Sequence, residues 1–218
     1  MTTAREEIIG SIRRNLATSA LFDEIRREHR GNDFAGTTSA TVTTEHDVVE
    51  NFRDSLDLLG THYLFADSEK HAAKYVEVVI AKLGAKKIAV SNSDVVKHVL
   101  EMITGNDFIE NAPKDVLFDC DLGITSAQWA IAETGTLVLE SEKESHRLTS
   151  LVPAVHLCIL KASRIRQTLG EILELTNKDL SRTMTFITGA SRTSDIELTL
   201  AIGVHGPGEL HVIVIADQ

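Results

Sequence analysis

The sequence predicts an α/β fold: a mainly parallel sheet flanked by helices, with a helical extension ahead of it. Three observations lead there. From Thr61 onward, short apolar runs alternate with stretches of helical period, and the order strand, helix, strand, helix implies parallel strands with helices on the sheet faces. Four later apolar runs, TLVLE, AVHLCIL, MTFIT and LHVIVIA, continue the strand pattern. Between them stand three polar, glycine-marked loops, GITSAQWAIAETGT, TGASRTSDIE and GVHGPGEL, of the kind on which α/β proteins carry ligands.

The elements follow in order. Thr3 and Glu6 form a capping-box pattern ahead of an apolar stripe of Ile8, Ile9, Ile12 and Leu16. The polar stretch RREHRGNDFAGTTSATVTT reads as an extended connection, with Gly31 to Thr43 its most protease-sensitive part. Thr44 and Asp47 cap a second helix that turns Val48, Phe52, Leu56 and Leu59 inward and stops at Gly60. The helical extension is thus residues 1–60 and the α/β domain residues 61–218. HYLFA is a strand. Asp67 caps a helix carrying Ala72, Ala73, Val76, Val79, Ile80 and Leu83, closed by Gly84. KKIAVS is a strand, and a helix starts near Asn92 or Ser93. AQWAIA reads as helical, as does Ser163 to Leu175, while Ile196, Leu198, Leu200 and Ile202 alternate as a strand does, although Asp195 could equally cap a helix there.

Composition narrows the function. The formal net charge of −10 repels nucleic-acid phosphate and argues against DNA or RNA binding. No apolar run approaches bilayer length, and the charged, amphipathic N-terminus lacks a signal-peptide core, so a cytoplasmic protein is expected. Cys120 and Cys158 stand apart, outside any CxxC cluster, so the chain by itself supplies neither the four thiolates of an iron–sulfur cluster nor a cysteine-built zinc site. There is no GxGxxG after a strand and no GxxxxGK[ST], which argues against a dinucleotide enzyme.

The loops allow two readings each. Thr125 or Ser126 either caps a helix or offers that helix's free N–H groups to an anion. Glu133, in the AETG turn that ends at Gly135, is either a nucleophile or base approached across that glycine or a solvated turn charge. Arg147 has the planar fork that suits a carboxylate or phosphate. His156, alone in an apolar run, reads as a hydrogen-bonded core group. In TGASRTSD, Gly189, Ser191, Arg192, Thr193, Ser194 and Asp195 bring hydroxyls, a guanidinium and backbone N–H groups together as an oxyanion cradle, or else an Arg192–Asp195 pair only fixes the loop. His205 stands between Gly203 and Gly206, glycines that allow close backbone approach, and a histidine is a side chain that can work near neutral pH. A Ser191–His205–Asp195 triad lacks any GxSxG support, and a metal site from His146, His205, Asp195 or Glu133 lacks HExxH spacing. By the rule that crevices in open α/β sheets lie at the carboxyl ends of strands, Glu133, Arg147, Arg192, Asp195 and His205 are expected to converge there.

The segments DLGITSAQWAIAETGTLVL, RLTSLVPAVHLCIL and FITGASRTSDIELTLAIGVHGP resemble, in this order, the signature segments of the LUD domain, or lactate-utilisation, family, over about Thr61 to Ile215. The likeness is greatest to the family's short member. Ala190 stands where the family commonly has proline. The resemblance implies a Rossmann-like fold similar to the ribose-5-phosphate isomerase and CoA-transferase group. It implies a part in oxidising L-lactate to pyruvate beside iron–sulfur partner proteins, without clusters in this chain. The glutamate of AETG, Glu133, is similar to the nucleophile of the CoA-transferase branch. The expectation is a non-redox component of a lactate-utilisation system, without cofactor or metal. It binds a small anionic ligand through Thr125, Ser126, Gly135, Arg147, Gly189, Ser191, Arg192 and Thr193, with Glu133, Asp195 and His205 as catalytic candidates. The alternatives are a free-standing enzyme on a phosphorylated or acyl-CoA substrate, and a ligand-binding scaffold.

Overall fold

The computed structural model describes residues 45–142, 144, 147–176, 181–194, 200–202 and 206–217. The predicted Ile8–Leu16 helix, the Gly31–Thr43 connection, the Thr44 cap, and His146, Asp195 and His205 lie outside the described residues.

Six parallel strands form the central sheet: β1 (His62–Ala66), β2 (Ile88–Val90), β3 (Phe108–Glu110), β4 (Leu122–Ser126), β7 (Val155–Lys161) and β12 (Glu209–Ile215), in the order β1-β12-β7-β4-β2-β3. Its inner strands read as unbroken apolar runs because both faces are buried. On β7, Val155, Leu157 and Ile159 face the core under helices α2 (Glu69–Leu83) and α3 (Asp94–Leu100). Cys158 and Leu160 face the opposite core, which holds Leu210, Val212 and Val214 of β12.

That second core is closed by a smaller sheet of β5 (Trp129–Ile131), β6 (Thr136–Glu140), β8 (Ile165–Arg166) and β9 (Met184–Ile187), in the order β8-β5-β6-β9. Helix α1 (Glu45–Leu59) contributes Phe52 and Leu56, both fully buried, to the same core. Burial of two such side chains is worth roughly 1.5–3 kcal/mol each. On the small sheet's other face, α5 (Leu169–Thr176) seats Ile172 against Ile131 and Val138. The short helix α4 (Lys114–Leu117) covers Ala89 with Leu117, and β10 (Arg192–Ser194) pairs antiparallel with β11 (Leu200–Ile202).

Several expectations are corrected. TLVLE and MTFIT do not extend the parallel sheet; they are β6 and β9, paired antiparallel in the small one. The chain reverses between β5 and β6 through Gly135, whose φ of 64° a turn of this hand requires. AQWAIA is not a helix, since Trp129–Ile131 pairs with β6 and β8, and cross-strand partners decide where a short apolar run leaves period ambiguous. Thr125 and Ser126 are accordingly not helix caps but buried residues of β4. The helix foreseen from Ser163 starts only at Leu169: a 3-10 turn (Ala162–Arg164) and β8 come first, and Thr168 caps α5 by accepting from Glu171 N at 3.4 Å. Ser68, not Asp67, caps α2, accepting from His71 N at 3.3 Å. Helix α1 begins at Glu45, which places Asp47 inside its first turn rather than at its cap. The stops at Gly60 (φ 66°) and Gly84 (φ 61°) are as expected.

Candidate functional site

The TGASR loop leaves β9, which belongs to the small sheet, and meets the segment that leads into β12. Ser191 N donates to the Pro207 carbonyl at 2.8 Å, and Gly208 N to the Ala154 carbonyl at 2.9 Å. These bonds draw the loop over the amino ends of β7 and β12, not over the carboxyl edge where the crevice was expected. A cavity of about 300 Å³ lies beneath. Ser150, Ser191 and Arg192 bring polar groups to its lining, Leu151 and Phe186 form apolar wall, and His156 and Leu210 rise from the two central strands.

Local chemistry fixes each wall. The 3-10 turn Arg147–Ser150 presses on the sheet at Gly123, where a Cβ would stand 2.1 Å from the Thr149 carbonyl oxygen. Only a glycine admits that approach. Ser150 Oγ donates to the Arg147 carbonyl at 2.9 Å. Arg192 Nη2 donates to the carbonyl of Leu59, the last residue of α1, at 2.8 Å, so the guanidinium ties the loop to a helix C-terminus while lining the cavity.

His156 is the least expected member. Its side chain is 1% exposed, and Nε2 lies 2.8 Å from Thr125 Oγ1. Its other nitrogen, Nδ1, is buried and has no protein partner among the described residues. Burial pushes the imidazole down to about 3, so the ring is neutral at physiological pH. The expectation of a hydrogen-bonded core histidine holds for one nitrogen and fails for the other. The signal in the sequence is slight: one polar residue near the amino end of the apolar run AVHLCIL.

Of the residues singled out beforehand, Gly189, Ser191 and Arg192 line this cavity, and Thr125 stands behind His156. Thr193 contributes backbone to the β10–β11 pair. Arg147 starts the 3-10 turn, but its side chain is exposed and outside the lining. Glu133 is exposed at the β5–β6 turn, where its Oε1 accepts from Leu169 N at 3.4 Å, and it too lies outside the lining. Gly135 faces α1 rather than open space: a Cβ there would stand 2.8 Å from Leu59 Cδ1 and 3.2 Å from Ser55 Cβ.

Ser126 ends at the opposite edge of the sheet. There Glu144, 1% exposed, accepts from Ser126 N at 2.9 Å, from Gln128 Nε2 at 2.6 Å and from Ser126 Oγ. Gln128 Oε1 in turn accepts from Glu140 N at 2.6 Å. Desolvation raises the Glu144 carboxyl above its ordinary range, against the pull of its donors. Beside this network lie two depressions of about 420 and 410 Å³, which share Glu69 and Lys161. Among the described residues no group of three or more His, Cys, Asp or Glu side chains is placed to hold a metal ion. No helix among them is long and apolar enough to cross a membrane.

Comparison with known proteins agrees with this architecture. A DUF162 family protein from Deinococcus radiodurans, solved by crystallography, superposes with a TM-score of 0.62 at 22% identity, covering 79% of this chain and 98% of that one, a likeness of fold. An uncharacterized protein of Neisseria meningitidis is 31% identical over 67% of this chain and 64% of its own length. Lactate utilization protein C of Deinococcus radiodurans is 40% identical over 44% of this chain and 46% of its own length, and that of Halalkalibacterium halodurans 26% over 89% and 84%. The chain thus spans about half to two-thirds of the length of the first of these curated relatives. The LUD domain model matches residues 49–215, and the chain belongs to the LUD domain family.

Proposed function

We propose that the chain is a non-redox component of a lactate-utilisation system, supporting oxidation of L-lactate to pyruvate beside iron–sulfur partner proteins, and that its amino-edge cavity binds a small anion. Relatives that carry the name lactate utilization protein C support the system. The buried, isolated Cys120 and Cys158 fit a subunit that leaves cluster chemistry to its partners.

The observation that carries the ligand reading is the meeting of Ser191 and Arg192 at one cavity in a chain of net charge −10. An anion reaches such a protein only where donors are locally concentrated, and a guanidinium's charge-assisted bonds are about twice as strong as neutral ones. The test is genetic and biochemical together. A strain lacking the chain should fail to grow on L-lactate and recover with the native gene. The native protein should co-purify with cluster-bearing proteins, and Arg192→Ala should restore growth poorly. Normal growth of the deleted strain on L-lactate would end the lactate reading.

A further inference from the structure

On the small-anion reading above, the last turn of α1 becomes part of the site. The helix closes in a Schellman motif: Thr61 N donates to the Leu56 carbonyl and Gly60 N to the Asp57 carbonyl, both at 3.0 Å, with Gly60 at φ 66°. That motif uses the carbonyls of Leu56 and Asp57 and leaves the carbonyl of Leu59 to a donor from outside the helix. Arg192 Nη2 is that donor, at 2.8 Å, and Arg192 lines the cavity.

The Leu59 side chain fixes where its carbonyl stands. It lies against two glycine turns of positive φ, Gly135 between β5 and β6 and Gly189 in the TGASR loop. A Cβ at Gly135 would stand 2.8 Å from Leu59 Cδ1, and one at Gly189 would stand 3.5 Å from Leu59 Cδ2. Two further bonds anchor the same turn. Ser55 Oγ donates to the Ala132 carbonyl at 2.6 Å, and the Tyr63 hydroxyl donates to Asp57 Oδ1 at 2.9 Å. Leu59 therefore meets the anion-binding loop twice, by its side chain at Gly189 and by its carbonyl at Arg192.

Arg192 is exposed, and an exposed arginine samples many rotamers. A ligand that immobilises it must offset that lost freedom. A guanidinium already tied at one corner has given up much of it before the ligand arrives. The tie goes to a carbonyl at a helix C-terminus, which attracts the cation but carries no net charge to cancel it. It also spends one N–H and leaves the others of the fork. We propose that Leu59 is the positioning residue of the anion site: it seats Arg192 at the cavity, so that the last turn of α1 and the bound anion stabilise each other. Linkage makes the coupling reciprocal. Loosening the turn weakens the anion, and the anion tightens the turn.

The experiment uses the full chain, with pyruvate and L-lactate as probes. By calorimetry the better-bound acid should be about three- to fivefold weaker on Leu59→Ala, because the arginine must then be ordered at the ligand's expense. Leu59→Met refills the space between the two turns and should bind within about twofold of native. Val48→Ala removes an apolar contact of the same helix with the same core, away from the turn. It should lower the melting temperature and leave affinity within about twofold of native. Hydrogen exchange reads the reverse direction. With the acid at about ten times its Kd, the amides of Gly60 and Thr61 should exchange about tenfold more slowly, because their opening releases Arg192. The amide of Gly84, which closes α2, should not respond. In Arg192→Lys the acid should leave Gly60 and Thr61 unmoved. Native affinity in Leu59→Ala, an equal loss in Val48→Ala, or Gly60 and Thr61 amides indifferent to the acid overturns the coupling and leaves the site its ligand. Should Leu59→Ala not fold, the exchange of the native chain decides alone. A native chain that binds neither acid removes the small-anion reading itself, and the coupling with it.

Discussion

The two edges of the parallel sheet hold similar polar inventories and use them in opposite ways. At the carboxyl edge, a buried carboxylate takes three donors, two of them from Ser126, and the side chain that supplies the third, Gln128, is itself anchored by Glu140 N. At the amino edge, a buried imidazole beside a cavity satisfies one nitrogen and leaves the other without a partner among the described residues. A closed network consumes its own hydrogen-bonding capacity and acts as scaffold, whereas an open one keeps capacity for something that arrives later. The usual place for a ligand in an α/β sheet is the carboxyl edge. Here the small sheet pulls the hydroxyl-rich loop to the other end.

That contrast breaks most easily at Gly123. Gly123→Ala drives a methyl into the Thr149 carbonyl, and neither backbone can yield cheaply. A loss of about 4 kcal/mol or more is expected in urea unfolding, with ligand binding lost because the turn carrying Ser150 is displaced. Glu144→Ala comes next. It strands Ser126 N, Ser126 Oγ and Gln128 Nε2, and should cost roughly 3 kcal/mol. Pyruvate affinity of the folded protein should stay within a few-fold of native; a large loss would mean that the two edges are coupled.

Acid sharpens the comparison. The folded-state pKa of His156 is depressed from 6.5 to about 3, so between these values the unfolded chain binds a proton that the folded chain refuses. Its contribution is whole above pH 6.5 and falls by about 1.4 kcal/mol per pH unit below it, roughly 2 kcal/mol by pH 5. His211 is also lowered by burial, with Glu209 opposing, and acts in the same direction. Glu144 is raised, so its contribution is present at low pH and is lost as pH rises. Unfolding measured from pH 7 to 4 should show net acid destabilisation, and His156→Asn should flatten the slope. The smallest effect belongs to Arg192→Lys, which keeps the charge but loses the fork that reaches Leu59. A cost of roughly 0.5–1 kcal/mol in stability is expected, with a several-fold weaker anion affinity by calorimetry.

Much of the fold was legible because burial on both faces leaves a plain mark. AVHLCIL and LHVIVIA could hardly be anything but inner strands, and Gly60 and Gly84 close their helices in the left-handed region that glycine favours. What was not legible is which sheet a strand joins. TLVLE and LHVIVIA look alike as sequences, yet the first turns back through Gly135 and the second crosses over to lie parallel. Partner choice is a tertiary fact, and the position of the TGASR loop followed from it. A lone histidine in an apolar run is ordinarily satisfied, and nothing local to His156 tells that only one of its nitrogens is.

The register of the outermost strand has a consequence for the chain as it is made. Among the described residues the β1 backbone pairs with β12 alone, and His62 meets its partner His211 about 150 residues later. At ordinary rates of synthesis the first strand leaves the ribosome on the order of ten seconds before its neighbour exists. Throughout that interval HYLFA is an apolar edge with no ladder to join, the kind of segment that sticks to others of its kind. The helix that follows β1 is the first element able to cover it, and β12 completes this part of the sheet only when it is made.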